Sequence, residues 1–183
     1  DTHSLEHLIE VFKEEVDTPG LNPAHGGHLG YIPGGGIFAT AMGDFMAAVS
    51  NRYAGLYFGS PGAVRMEKRV LDWMKDVCLY PKDALGNLTS GGSIANLIAI
   101  TSARDHHEIE GEKVAKSVVY LSEQTHHCVH KALRIAGLRS VILRNIPLDE
   151  KFNIIPEALE EMIVSDQNEG LNPFLVVASG GTT

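Results

Sequence analysis

Apolar positions three and four apart open the chain. Leu5, Leu8, Ile9, Phe12 and Val16 share one helical face, and Glu10, Glu14 and Glu15 lie opposite. Ser4 can cap this helix, and Thr18-Pro19-Gly20 stops it. A mostly apolar pattern from Ile37 to Tyr53 predicts a second helix. A third runs from about Pro61 to Leu79, with Val64, Val70, Leu71, Met74 and Val77 facing a core. Between the first two helices, Asn22 to Gly36 is irregular and rich in Gly and His. It includes His25-Gly26-Gly27-His28 and Tyr31-Ile32-Pro33-Gly34-Gly35-Gly36, and such a loop packs poorly alone and is expected to line something.

Further on the texture changes. Ile94 to Ile100 is apolar nearly all round, which predicts a buried helix. Val118-Val119-Tyr120-Leu121 then reads as a strand, His127 to Ala136 as a helix and Val141-Ile142-Leu143 as a strand. Pro156 starts a helix whose buried face is Leu159, Met162 and Ile163, Gly170 ends it, and Phe174 to Ala178 reads as another strand. Short apolar strands separated by helices predict an α/β fold with a parallel sheet. The expected organisation is a helical N-terminal segment over 1–84, followed by an α/β domain that begins at 85 and runs to 183.

With 44% hydrophobic residues over 183 positions, the chain is globular and not disordered. A net charge of -8 without any Lys or Arg block argues against nucleic acid or an anionic membrane as partner. Cys78 and Cys128 are far apart and in no CxxC, so a disulfide scaffold and a cysteine zinc site are not expected, and the default compartment is the reducing cytoplasm. No apolar stretch reaches the ~20 residues of a membrane span. The chain starts at Asp1 and not at Met, so its natural N-terminus is expected to lie further upstream.

The run Thr89-Ser90-Gly91-Gly92-Ser93-Ile94-Ala95-Asn96 opens directly into an apolar helix. Glycines let backbone approach an anion, first-turn amides lack internal partners and the macrodipole favours negative charge, so this turn could hold a phosphate. The same residues also suit an ordinary loop with Ser93 as N-cap. Neither a Walker loop nor a dinucleotide fingerprint fits. In an open parallel sheet, ligands gather beyond the carboxyl ends of the strands. Three segments fall there: this turn, Ser122-Glu123-Gln124-Thr125-His126 and Ser179-Gly180-Gly181-Thr182-Thr183. His126 could stack on a planar ligand or move a proton, or it could simply cap the next helix. His126 and His130 stand four apart, but the glutamate of His-Glu-x-x-His is absent and no third ligand is evident, so no metal is expected.

Taken together, these segments resemble the group II pyridoxal-phosphate-dependent amino-acid decarboxylases, which include aromatic-amino-acid, histidine, glutamate and diaminobutyrate decarboxylases. Gly30-Tyr31-Ile32-Pro33 is similar to the family's substrate-pocket loop, and Ser60-Pro61 to Glu67 with Leu71-Asp72-Trp73-Met74 to its Ser-Pro…Glu…Asp-Trp helix. The Ser-Gly-Gly-Ser turn resembles the cofactor phosphate loop, and Ser122 to His126 the Ser-x-x-x-His whose histidine stacks on the pyridine ring. Pro173 to Thr183 resembles the Pro-Phe…Val-Ala-Thr-x-Gly-Thr-Thr strand and turn, with Ser179 in place of a threonine.

The resemblance implies the first part of the large domain of a fold type I transferase, with pyridoxal 5'-phosphate as cofactor. Gly91, Gly92 and Ser93 would hold the phosphate, His126 would stack on the ring, Thr183 would touch the cofactor, and Tyr31 and Pro33 would shape the substrate pocket. The implied reaction is decarboxylation of an L-amino acid by a cytoplasmic homodimer. The family's Schiff-base lysine and pyridine-nitrogen aspartate come after Thr183, so this chain is expected to be the N-terminal part of a longer enzyme. Two alternatives remain: a carbon–carbon lyase of the phosphosphingosine-lyase type, and a non-catalytic dimerisation module.

Overall fold

The computed structural model describes residues 2–31, 34 and 36–181, which fall into two compact units, one ending at Pro61 and one beginning at Gly62. In the first, α1 (Leu5–Phe12) starts on Ser4, whose Oγ accepts the N–H of His7 at 3.2 Å. The helix continues as a π-helical turn over Lys13–Asp17. This wider turn carries Val16, so the expected helix persists to Asp17 but not as one α-helix. α2 (Phe38–Ser50) ends at Asn51, in the left-handed region that Asn tolerates. No residue of α1 or α2 is buried, and Phe12, Phe45, Met46 and Val49 are all exposed.

α3 (Pro61–Val77) belongs to the second unit from Gly62 onward. Val64 and Leu71 are half-buried, but Val70, Met74 and Val77 are exposed, so its apolar face is only partly covered. There follow α4 (Gly92–His106), a 3-10 turn over Gly111–Lys116, β1 (Ser117–Leu121), α5 (Cys128–Ile135), β2 (Ile142–Asn145), α6 (Pro156–Asn168) and β3 (Asn172–Val176). The strands form a parallel sheet in the order β2-β1-β3.

β1 is central and buried along its whole length, which is why its sequence is a near-continuous apolar run. Its alternate side chains serve two cores. Val119 and Leu121 pack with Ile100 of α4 and with Val129, Ala132 and Leu133 of α5, while Val118 and Tyr120 pack with Ile146 and with Leu159, Met162 and Ile163 of α6. Helices therefore cover both faces. In β3, Pro173 pairs with Val118 but Leu175 pairs with Val119, so Phe174 is an extra residue at the point where proline has no N–H to give.

One polar group crosses the second core. Asp166 is 2% exposed; it accepts the Tyr120 hydroxyl at 2.7 Å and the Arg144 guanidinium at 2.7 Å from Nη2 and 3.2 Å from Nε. These bonds tie α6 to β1 and β2. The Arg144 bond first and the Tyr120 bond after it hold the Asp166 carboxyl below the ordinary carboxylate range, against the opposing effect of burial. Burial and the neighbouring carboxylate push the Tyr120 hydroxyl well above its usual value. Of the helix expected to be buried, only Ile100 is; Ile94 and Ile98 are exposed because α4 has one face on α5 and the other uncovered. No helix among the described residues is long and apolar enough to cross a membrane.

Candidate active site

The connection leaving β1 goes through α5 to β2 on one side, and β3 lies on the other. This reversal opens a crevice beyond the carboxyl ends of β1 and β3. A cleft of about 450 Å³ occupies it, between Ser122 and Gln124 after β1 and Ala178, Ser179 and Gly181 after β3. The turn after β1 is closed twice: the Thr125 N–H donates to the Ser122 carbonyl at 3.0 Å, and the Ser122 N–H donates to Thr125 Oγ1 at 3.1 Å. After β3, the Val177 N–H donates to the Tyr120 carbonyl at 2.8 Å, which keeps the two strand ends together.

α4 aims its N-terminus toward the same end. Its far end is fixed at the other side of the sheet, where Arg104 Nη1 donates to the carbonyl of Ala136, just past α5, at 2.7 Å and His107 meets Phe174 edge-on at 6.4 Å. A helix of 15 residues spans about 22 Å, so Gly92 and Ser93 lie toward the strands' carboxyl ends. The Ile94 and Ala95 amides are taken by the Gly91 carbonyl, and among the described residues no acceptor meets those of Gly92 and Ser93. A Cβ at Gly91 or Gly92 would meet nothing within 4 Å, so these glycines keep space open in front of the amides. Gly91 itself is extended, at φ 162°, a conformation any residue adopts. Two free amides, the hydroxyl of Ser93 and a dipole end fit a phosphate group.

His126 is exposed, and its Nδ1 accepts the N–H of Cys128 at 3.2 Å. It thus caps the first turn of α5 and still presents its ring. The neighbouring His127 ring lies 4.1 Å away at 39°. Tyr31 belongs to the first unit, where it is exposed with φ 60° and stacks at 6.3 Å on His28. Pro33 and Thr183 lie outside the described residues.

The cleft's third wall was not foreseen. Lys151, Phe152, Asn153 and Ile154 supply it from the loop between β2 and α6. Asp149 organises this loop: its Oδ1 accepts the N–H groups of Lys151 and Asn153, both at 2.8 Å, and the bond from the Asn153 side chain first, with these backbone bonds after it, keeps its carboxyl below the usual range. Asp149, a residue type that bonds its own backbone two residues on, is a turn signal visible in the sequence; the left-handed backbone of Phe152, at φ 63°, is not. A cleft of about 520 Å³ at the opposite end of the sheet has Arg104 as its cation, already engaged by Ala136 and by Asp105 at 2.7 Å. Among the described residues, no group of three His, Cys, Asp or Glu is placed to hold a metal.

Residues 5–183 match a family model described as the pyridoxal-dependent decarboxylase conserved domain. An aromatic-L-amino-acid decarboxylase of Bacillus atrophaeus is 35% identical over 96% of this chain and 36% of its own length. A tyrosine decarboxylase of Narcissus pseudonarcissus is 32% identical over 98% of this chain and 38% of its own. The chain thus spans less than two fifths of these relatives. Among solved structures, tryptophan decarboxylase of Catharanthus roseus in complex with L-tryptophan matches all of this chain and 40% of its own, with TM-score 0.84 and 26% identity. A 4-hydroxyphenylacetaldehyde synthase of Rhodiola rosea matches at TM-score 0.84 and 27% identity, over all of this chain and 41% of its own.

Proposed function

The chain belongs to the pyridoxal-dependent decarboxylase family, and on that premise we propose that it forms the N-terminal part of an enzyme that releases the carboxylate of an aromatic L-amino acid as CO2. The observation that supports this most is the crevice at the carboxyl ends of β1 and β3, together with the Gly92 and Ser93 amides of α4, which meet no acceptor among the described residues. The names of the relatives, aromatic-L-amino-acid and tyrosine decarboxylases, favour an aromatic side chain.

Bound pyridoxal phosphate supplies an electron sink for the electron pair of the breaking carbon–carboxylate bond. This chain's part is to bind and to orient. Gly91, Gly92 and Ser93 hold the phosphate with backbone and hydroxyl donors, in space that the two glycines leave free. His126 lies against the flat face of the ring, and Thr183 meets the cofactor's polar edge. Tyr31 and Pro33 shape the pocket for the substrate side chain. Residues 85–183 serve as the first part of the cofactor domain, and residues 1–84 as a helical segment that contacts the second subunit of a cytoplasmic homodimer.

The test uses the full-length protein with pyridoxal phosphate. An absorption band near the visible edge that borohydride abolishes, with CO2 and an amine formed from tyrosine, tryptophan or DOPA, supports the reading. An aldehyde as main product would move the reaction toward that named for the Rhodiola relative. Absence of the band would leave a binding module.

A further inference from the structure

We propose that Thr125 is a positioning residue that fixes which nitrogen of His126 carries the proton; what His126 then acts on rests on the function proposed above. Ser122 is 4% exposed, at the end of the central strand, and is bonded to Thr125 in both directions, its N–H to Oγ1 at 3.1 Å and its carbonyl to the Thr125 N–H at 3.0 Å. The turn that delivers His126 is therefore anchored to the sheet. On the other side, Cys128 is 6% exposed and opens α5, so its amide is equally immobile. That amide donates to His126 Nδ1 at 3.2 Å.

A backbone N–H can only meet a lone pair. Neutral imidazole has one N–H and one lone pair, so with Nδ1 accepting, the proton sits on Nε2. The other tautomer would set two N–H groups head to head. His127 at 4.1 Å limits the ring's swing on one side. His126 therefore offers a single, directed Nε2–H donor, suited to an oxygen acceptor on the bound cofactor or amino acid. Removing the Thr125 hydroxyl takes away one of the turn's two closing bonds and so loosens the placement of Nδ1 against the Cys128 amide that selects the tautomer.

The test is a long-range proton–nitrogen spectrum of the full-length protein labelled with nitrogen-15 in histidine, recorded at about pH 8, above the ordinary histidine range. A His126→Gln variant assigns the signal among the nine histidines. The expected wild-type pattern is protonated Nε2 with Nδ1 bare. Thr125→Val is expected to average the two nitrogens and to lower kcat on the order of tenfold with KM and bound cofactor little changed, as for a reacting group displaced without loss of binding. Thr125→Ser, which restores the oxygen, is expected to recover both. A wild-type spectrum with the proton on Nδ1, or an unchanged Nε2–H pattern in Thr125→Val, overturns the proposal. If Thr125→Val fails to fold, Thr125→Ala, which also removes the hydroxyl, takes its place in the same comparison. An inactive but Nε2-protonated wild type would sink the proposed reaction and leave the tautomer assignment standing.

Discussion

At the level of single residues, Gly91 and Gly92 would, in the proposed site, separate ligand binding from folding. A side chain at either would enter open space, so Gly92→Ala should leave the thermal midpoint unchanged or raise it, since alanine favours a helix over glycine by up to about 1 kcal/mol. The same change should weaken pyridoxal phosphate binding, on the order of tenfold in a fluorescence titration; unaltered affinity would remove the phosphate from this turn. Asp166 is the opposite case, a residue of stability inside the second core. Asp166→Ala should cost about 3 kcal/mol in denaturant unfolding, because it leaves a buried hydroxyl and a half-buried guanidinium without their acceptor. Its folded-state pKa is depressed relative to the unfolded chain, so its contribution is full above the ordinary aspartate value of about 4 and fades as pH falls below that, through the lowered value. Asp166→Asn should flatten the acid side of the stability profile; an unchanged profile would show that another carboxylate governs it.

Among the helices of the described residues, α5 buries the most side chains. Leu133 is 3% exposed and Ile98 of α4 is 39% exposed, so Leu133→Ala should cost about 3 kcal/mol and Ile98→Ala below about 1 kcal/mol, measured as paired melting curves of the full-length protein. Equal losses would mean that the outer face of α4 is covered in the whole protein. The strands were legible in the sequence as short apolar runs, and α5 and α6 because each couples an apolar period to a clear boundary, such as Pro156 at the start of α6 and Gly170 beyond its end. The turns carrying Gly91 and His126 were legible too, through glycine chemistry and placement after a strand. The Asp166 network was not read, although Asp166 continues the stripe of Leu159, Met162 and Ile163 and so announces a carboxylate facing a core. The Phe152 wall left no signal of its own, since nothing in a phenylalanine marks a left-handed backbone.

For the whole molecule, the exposed apolar side chains of the first unit set the expectation. Phe12 of α1 at 57%, and Phe45 and Val49 of α2 at 63% and 70% exposure, are apolar side chains of the kind that a partner covers. The full-length protein should therefore sediment as a dimer at micromolar concentration, and Phe45→Glu should shift it toward monomer with loss of activity; a monomeric wild type would contradict the assigned role of residues 1–84. The strand order carries a consequence in time. The middle strand is made first, Val118 must wait for Ile142, 24 positions later, and Ser117 for Asn172, 55 positions later. Closing the longer loop is the slower step. During synthesis, a half-built sheet with one bare edge on β1 stands ready to accept whatever strand arrives, and until β3 emerges that strand can come from a neighbouring chain.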